Sequence, residues 1–299
     1  MHGGGGSGTA TAQHAGRLAW ALALTATYMV AEVAGGLITG SLALLADAAH
    51  MLTDVAGLAL ALLAIRFAAR EATPQRTYGY LRMEVLAALT NAVVLLLLTV
   101  YILYEAYRRF MSPPEVMSGP MLAVAAIGLA VNLVSMRLLA GGSSESLNVK
   151  GAYFEVLSDM LGSIGVILAA LLMMWKGWRL ADPLIGAGIG LFIVPRTFGL
   201  LRQVVHILME GTPPTVDLAI LERELMEIAN VISVHDLHVW TITSGFDAMS
   251  CHLVVTDFSV AQTVLAQARR MMGDEFGIDH VTIQVDDDTL SREEKTLHV

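Results

Sequence analysis

Only one cysteine, Cys251, stands in the 299-residue chain. No intramolecular disulfide can form, and a reducing compartment would cost the fold nothing. Charge is scarce as well. Asp, Glu, Lys and Arg make up 15% of residues, against about 25% in an ordinary soluble domain. Hydrophobic residues reach 55%, which points to a bilayer rather than a soluble core. The 27 glycines fit that reading, since glycine is commoner in membrane helices than in soluble ones. No nucleotide-binding glycine loop is present, and no His-Glu-x-x-His arrangement supports a metal-dependent hydrolase. No cleavable signal peptide is expected, because residues 1–16 are polar and the first apolar run is already long enough to span.

The charge that is present is unevenly placed. Residues 1–209 carry 13 Lys/Arg against 11 Asp/Glu, a net of +2, and residues 210–299 carry 5 against 16, a net of −11. The last part is therefore a poor nucleic-acid binder, since phosphates need cations opposite them. It would attract metal cations or basic partners.

Six apolar runs reach the roughly 20 residues that a spanning helix needs: Leu18–Leu37, Leu42–Phe67, Val85–Tyr107, Met121–Leu139, Val149–Trp175 and Pro183–Leu208. Backbone groups in lipid must bond internally, so these runs are helices. Arg17, Arg66, Arg70, Arg76, Arg82, Arg137, Lys150 and Arg202 fall on one side; Arg108, Arg109, Lys176 and Arg179 fall on the other. The richer side is expected to be cytoplasmic, with both termini there. After Gly211-Thr212-Pro213-Pro214, helical patterns at Val216–Ala229 and Val260–Phe276 and alternating ones at Ile232–Ile242, Ala248–Thr256 and Val281–Val285 give the order αββαβ. The expected fold is thus an all-α bundle of six transmembrane helices (17–209) plus a small α+β cytoplasmic domain (210–290). The segments 1–16 and 291–299 read as a disordered and a flexible tail. So small a domain buries little surface alone, and a homodimer is expected to cover its sheet.

Ionisable residues inside the spans carry the functional signal, because each costs roughly 2.5–3.5 kcal/mol on insertion scales. The second span holds Asp47, His50 and Asp54, and the fifth holds Glu155 and Asp159. His50 and Asp54 are four apart, and so are Glu155 and Asp159, which stacks each pair on one helix face. Facing pairs would offer one imidazole and three carboxylates, a ligand set that zinc accepts in a tetrahedron. The alternative is a set of separate polar contacts between helices. Asp47, three before His50, would line the access path or support a ligand. Glu32, Asn91, Asn132 and Ser158 read equally well as interhelical hydrogen-bonding residues.

Two segments, Ser41–Asp54 (SLALLADAAHMLTD) and Lys150–Ser163 (KGAYFEVLSDMLGS), resemble the cation diffusion facilitator family. Tyr78–Glu84 (YGYLRME) and His235–Trp240 (HDLHVW) support the likeness, which runs from about Arg17 to Asp286 and is greatest to bacterial zinc-cobalt-cadmium resistance exporters. The resemblance implies homodimers, metal/proton antiport, a transport site of His50, Asp54, Glu155 and Asp159, and a ferredoxin-like cytoplasmic metal-binding domain. Many zinc members have histidine where Glu155 stands. An oxygen-richer site favours zinc less strongly over its divalent neighbours, so cobalt and cadmium are expected as further substrates. Thr73, Tyr80 and Leu81 offer no metal site in the loop between the second and third spans. Gly141–Asn148 contains no histidine, and His2 and His14 read as tail decoration.

By the same resemblance His235, His252 and Asp286 are candidate ligands of a cytoplasmic zinc site, with Gln284 at a further ligand position. The alternative is an ordinary polar strand face. His238 and Cys251 read as buried. Arg82 and Glu210 are candidates for an interdomain ion pair. Rival functions are a monovalent cation/proton antiporter using the same carboxylates, and a membrane metal sensor without flux.

Overall fold

The computed structural model describes residues 10–68, 70–140 and 147–287; the side chains of 10–19, 22, 53–54, 57–66, 68 and 147–152 lie outside the description, as do the tail 291–299 and most of the loop 141–148. Six long helices occupy the first two thirds: α1 Ala10–Thr39, α2 Leu42–Ala68, α3 Met83–Met111, α4 Ser118–Ala140, α5 Leu147–Lys176 and α6 Ala181–Leu208. Each covers one expected span. α1 also takes in 10–16, which corrects the expectation that the disordered tail runs to residue 16. Among the described residues, four helices are long and apolar enough to cross a membrane (Met83–Met111, Ser118–Ala140, Tyr153–Lys176 and Ala181–Leu208), and α1 and α2 add the apolar stretches Ala23–Thr39 and Leu42–Leu52. The protein is a multi-pass membrane protein.

The chain divides into two compact units, Met1–Ala59 with Thr90–Leu200, and Leu60–Leu89 with Leu201–Val299. In the first, α4 packs against both α1 and α5, around a core that includes Leu44, Met121, Ala125, Val166, Ala169 and Ala170. Glycines let these helices approach. A Cβ on Gly128 would sit 2.1 Å from the Tyr28 hydroxyl, and one on Gly162 would sit 2.3 Å from Asp47 Oδ1. Small residues at the seams are what lipid-embedded helices need for close packing.

The turn between α1 and α2 passes through Gly40 at φ 72°, a conformation that glycine adopts without penalty. The carboxylate of Asp182, from the first turn of α6, is fully buried. It accepts from Ser41 Oγ (2.6 Å), Leu42 N (2.8 Å) and Ala43 N (3.1 Å). Leu42 N and Ala43 N are orphan donors of the α2 N-terminus, where a negative charge is also favoured. Arg109 of α3 stands 3.5 Å from the same carboxylate and donates to Gly40 O.

In the second unit, α7 Leu218–Met226 begins at Asp217, whose side chain accepts from Ala219 N and Ile220 N. Strands β1 Val231–Thr243 and β2 Phe246–Val255 pair antiparallel through a turn at Gly245, φ 72°. A short 3₁₀ turn and α8 Ala261–Phe276 then cross back to β3 His280–Asp286, parallel to β2, giving the sheet order β1-β2-β3. The α+β order read from the sequence is thus present. Leu221, Leu225, Val264, Ala268 and Met272 of the two helices pack on Val239, Met249, Cys251 and Leu253. Burial pushes the Cys251 thiol up to about 12.

His238 corrects the expectation: its side chain is exposed. Between the pairs His235↔His252 and His238↔Ser250, β1 advances three residues while β2 advances two. The extra residue is a bulge, with Asp236 at φ 50°, and it returns His238 to the polar face that His235 and His252 share.

Candidate metal centres

His50 on α2 and Asp159 on α5 meet inside the membrane domain. His50 Nε2 and Asp159 Oδ1 stand 3.7 Å apart, and the side chains are 7% and 2% exposed. Both atoms are buried without a hydrogen-bond partner in the protein. Unsatisfied buried polar atoms are costly, and 3.7 Å is too long for a hydrogen bond to repay that cost. The separation does suit two ligands of one ion, since ligands at about 2.0–2.1 Å from a tetrahedral zinc stand roughly 3.4 Å apart.

The other candidate ligands are placed differently. Asp54 continues α2 one turn beyond His50, and its side chain lies outside the described residues. Glu155, one turn before Asp159, is half-buried, and its Oε1 accepts from the guanidinium of Arg196 on α6. Arg196 is also within electrostatic reach of His50 and Asp159.

Asp47 is 1% exposed and fills the space left by Gly162. Asp47 Oδ2 and Glu32 Oε2 on α1 are both buried without a hydrogen-bond partner, and Glu32 Oε1 accepts from Tyr28 OH at 3.0 Å. Nearby, Asn132 Nδ2 donates to Ser163 Oγ at 3.3 Å, joining α4 to α5. Glu32, Asp47 and Asn132 therefore form a buried polar layer beside the His50–Asp159 pair. Ser158 bonds its own helix at Phe154 O, so it is no interhelical link there.

The second centre lies on the polar face of the small sheet. His235 and His252 face each other across β1 and β2 with ring centroids 5.0 Å apart. His252 Nδ1 stands 3.1 Å from Asp286 Oδ2. One ligand atom from each of His235, His252 and Asp286 can be chosen so that all lie within 4.8 Å of one another. His235 Nε2 is buried and unpartnered. Gln284 Nε2 donates to Asp286 Oδ1 at 2.9 Å. Gln284 thus orients the carboxylate, a supporting role typical of groups just outside a coordination shell.

Residues 18–209 match the cation efflux transmembrane domain, and residues 213–288 match the cytoplasmic domain of cation efflux proteins. The chain belongs to the cation efflux family. It is 51% identical over 266 residues to the metal cation efflux system protein CzcD of Cupriavidus metallidurans, covering 88% of this chain and 84% of that one. It is 46% identical over 264 residues to the cadmium, cobalt and zinc/H(+)-K(+) antiporter of Bacillus velezensis, covering 87% and 84%. It is 42% identical over 275 residues to the zinc transporter ZitB of Escherichia coli, covering 91% and 88%.

In this cation efflux protein Arg82 and Glu210 do pair, at 3.0 Å, with side chains 41% and 62% exposed. Such exposed pairs contribute about 0–1 kcal/mol. Sequence reasoning missed two residues of the efflux domain, Arg196 and Asp182. For Arg196 the signal was there to be used: an arginine in the middle of an apolar span needs a partner.

Proposed function

We propose that this protein exports divalent transition-metal ions, zinc first and cobalt and cadmium with it, from the cytoplasm in exchange for protons. It is a secondary transporter and not an enzyme. The carrying observation is the His50–Asp159 pair: two metal-ligating atoms, buried at membrane depth on different helices, 3.7 Å apart and with no protein partner. The relatives' names, which give cation efflux and zinc, cadmium and cobalt antiport, support the same reading.

His50, Asp54, Glu155 and Asp159 form the transport site in this reading. Ligands must be deprotonated to hold a cation, so metal binding releases protons and protons compete the metal off. His50 and the three carboxylates are the groups that trade one for the other. Facing the cytoplasm, the site loads metal; facing outward, it gains protons and the ion leaves. The proton gradient supplies the driving force.

His235, His252 and Asp286 hold a second zinc ion, which regulates transport rather than travels. The protein works as a homodimer, with 17–209 as the transport domain and 210–290 as the cytoplasmic domain. Both termini face the cytoplasm of a bacterial inner membrane, on the arginine distribution.

Metal uptake into inverted membrane vesicles, with and without a pH gradient, tests the proposal. Gradient-dependent zinc uptake that disappears in Asp159→Ala is expected. Uptake of sodium or potassium alone, or zinc binding without flux, would sink it.

A further inference from the structure

Arg196 lies near the middle of α6, directly after Pro195. A guanidinium at that depth is costly unless a carboxylate or carbonyls receive it, and those that persist in membrane helices mark functional positions. Glu155 receives it, through an ion pair between α6 and α5. Glu155 also stands one helical turn from Asp159, so α5 alone would present both carboxylates to one ion. The guanidinium and an incoming divalent ion therefore compete for the same oxygens. Arginine suits that competition: it stays charged, and its planar fork matches a carboxylate.

We propose that Arg196 is a tethered counter-cation of the transport site, holding Glu155 away from His50 and Asp159 until a divalent ion displaces it. The inference rests on the proposed reading of those residues as the transport site. Arg196 acts through Glu155, as a positioning residue. A carrier must hold its ion firmly enough to load and loosely enough to let go. A fixed positive charge beside the cage weakens the hold, and its return to Glu155 helps the ion leave. With three carboxylates and one guanidinium the site carries a formal −2, the complement of a divalent ion.

The test uses the full-length protein in nanodiscs, with the zinc Kd measured by competition against a chromophoric chelator. Initial zinc uptake rates in vesicles give KM and kcat separately. Arg196→Gln is expected to lower Kd by about tenfold, the scale of a unit charge a few ångströms away. KM should fall with it and kcat should fall too, because release slows. Arg196→Lys, which keeps the charge, should fall between Arg196→Gln and the wild type. In a Glu155→Gln background, Arg196→Gln should lower Kd by clearly less than in the wild type, as a cycle through a shared partner requires.

An unchanged or raised Kd in Arg196→Gln overturns the inference, as does equal tightening with and without Glu155. If Arg196→Gln cannot be recovered folded, Arg196→Lys alone and in the Glu155→Gln background carries the test. For Arg196→Lys alone, zinc binding weaker than wild type overturns it, as does a lysine effect of equal size in the Glu155→Gln background. Asp159→Ala separates the two levels: wild-type zinc affinity in that variant removes the transport site itself. Loss of affinity there, with no response to Arg196→Gln, removes only the role of Arg196.

Discussion

The two centres use the same kinds of side chain and differ in how those side chains are held. In the membrane, His50 and Asp159 come from separate helices and their facing atoms touch no protein donor or acceptor. On the small sheet, His252 already contacts Asp286, and Gln284 fixes the other carboxylate oxygen. All three candidate ligands there sit on one hydrogen-bonded sheet. A site split between helices can open and close as they move, which suits an ion in transit. A site built on one sheet is held in shape before metal arrives, which suits an ion that stays.

The sharpest way to break this contrast is Asp159→Ala. It should abolish gradient-driven zinc uptake while leaving zinc binding at the sheet intact; uptake within about tenfold of wild type would contradict the membrane site. The converse is His252→Ala, which should remove the sheet-bound zinc, seen as one ion fewer per protomer by equilibrium dialysis. Uptake should persist at a changed rate, and its complete loss would mean that the sheet centre lies on the transport path. Glu155→His sharpens the comparison from the side of selectivity. Exchanging an oxygen for a nitrogen ligand should raise the preference for zinc over cobalt and cadmium several-fold, roughly 1 kcal/mol; unchanged relative uptake rates would refute it.

The smallest effect concerns Cys251, whose thiol is raised by burial from the ordinary 9.0 to about 12. A group whose folded pKa is raised contributes stability present below the unfolded value and lost as pH rises through the folded one. Cys251→Ala should therefore flatten the stability decline between about pH 9 and 12, measured by denaturant midpoints. Iodoacetamide should leave native Cys251 unmodified at pH 8, since a protonated thiol is a poor nucleophile; rapid labelling of the native protein would contradict the burial argument.

The six spans and the αββαβ order were legible because both rest on periodicity and length. The i,i+4 spacing of Glu155 and Asp159 was legible too, and it put them on one face of α5. What spacing could not tell is where a long side chain turns. Glu155 reaches a guanidinium on α6, forty-one positions along the chain, and no local pattern links the two. Asp182 was hidden for a similar reason. It sits in the first turn of one helix and caps the start of another. His238 was misplaced because strict alternation has no room for the bulge at Asp236.

The anchoring of the α2 N-terminus by Asp182 has a mechanical consequence. α2 starts where four groups fix it, Asp182, Ser41, Arg109 and the Gly40 turn. A tilt of the helix would therefore pivot near Leu42. His50 lies eight residues along it, about 12 Å at the helical rise, so a tilt of roughly 10° would swing the imidazole by about 2 Å. That travel is the length of one zinc–nitrogen bond, so in the proposed site such a tilt would make or break coordination while the pivot stays still.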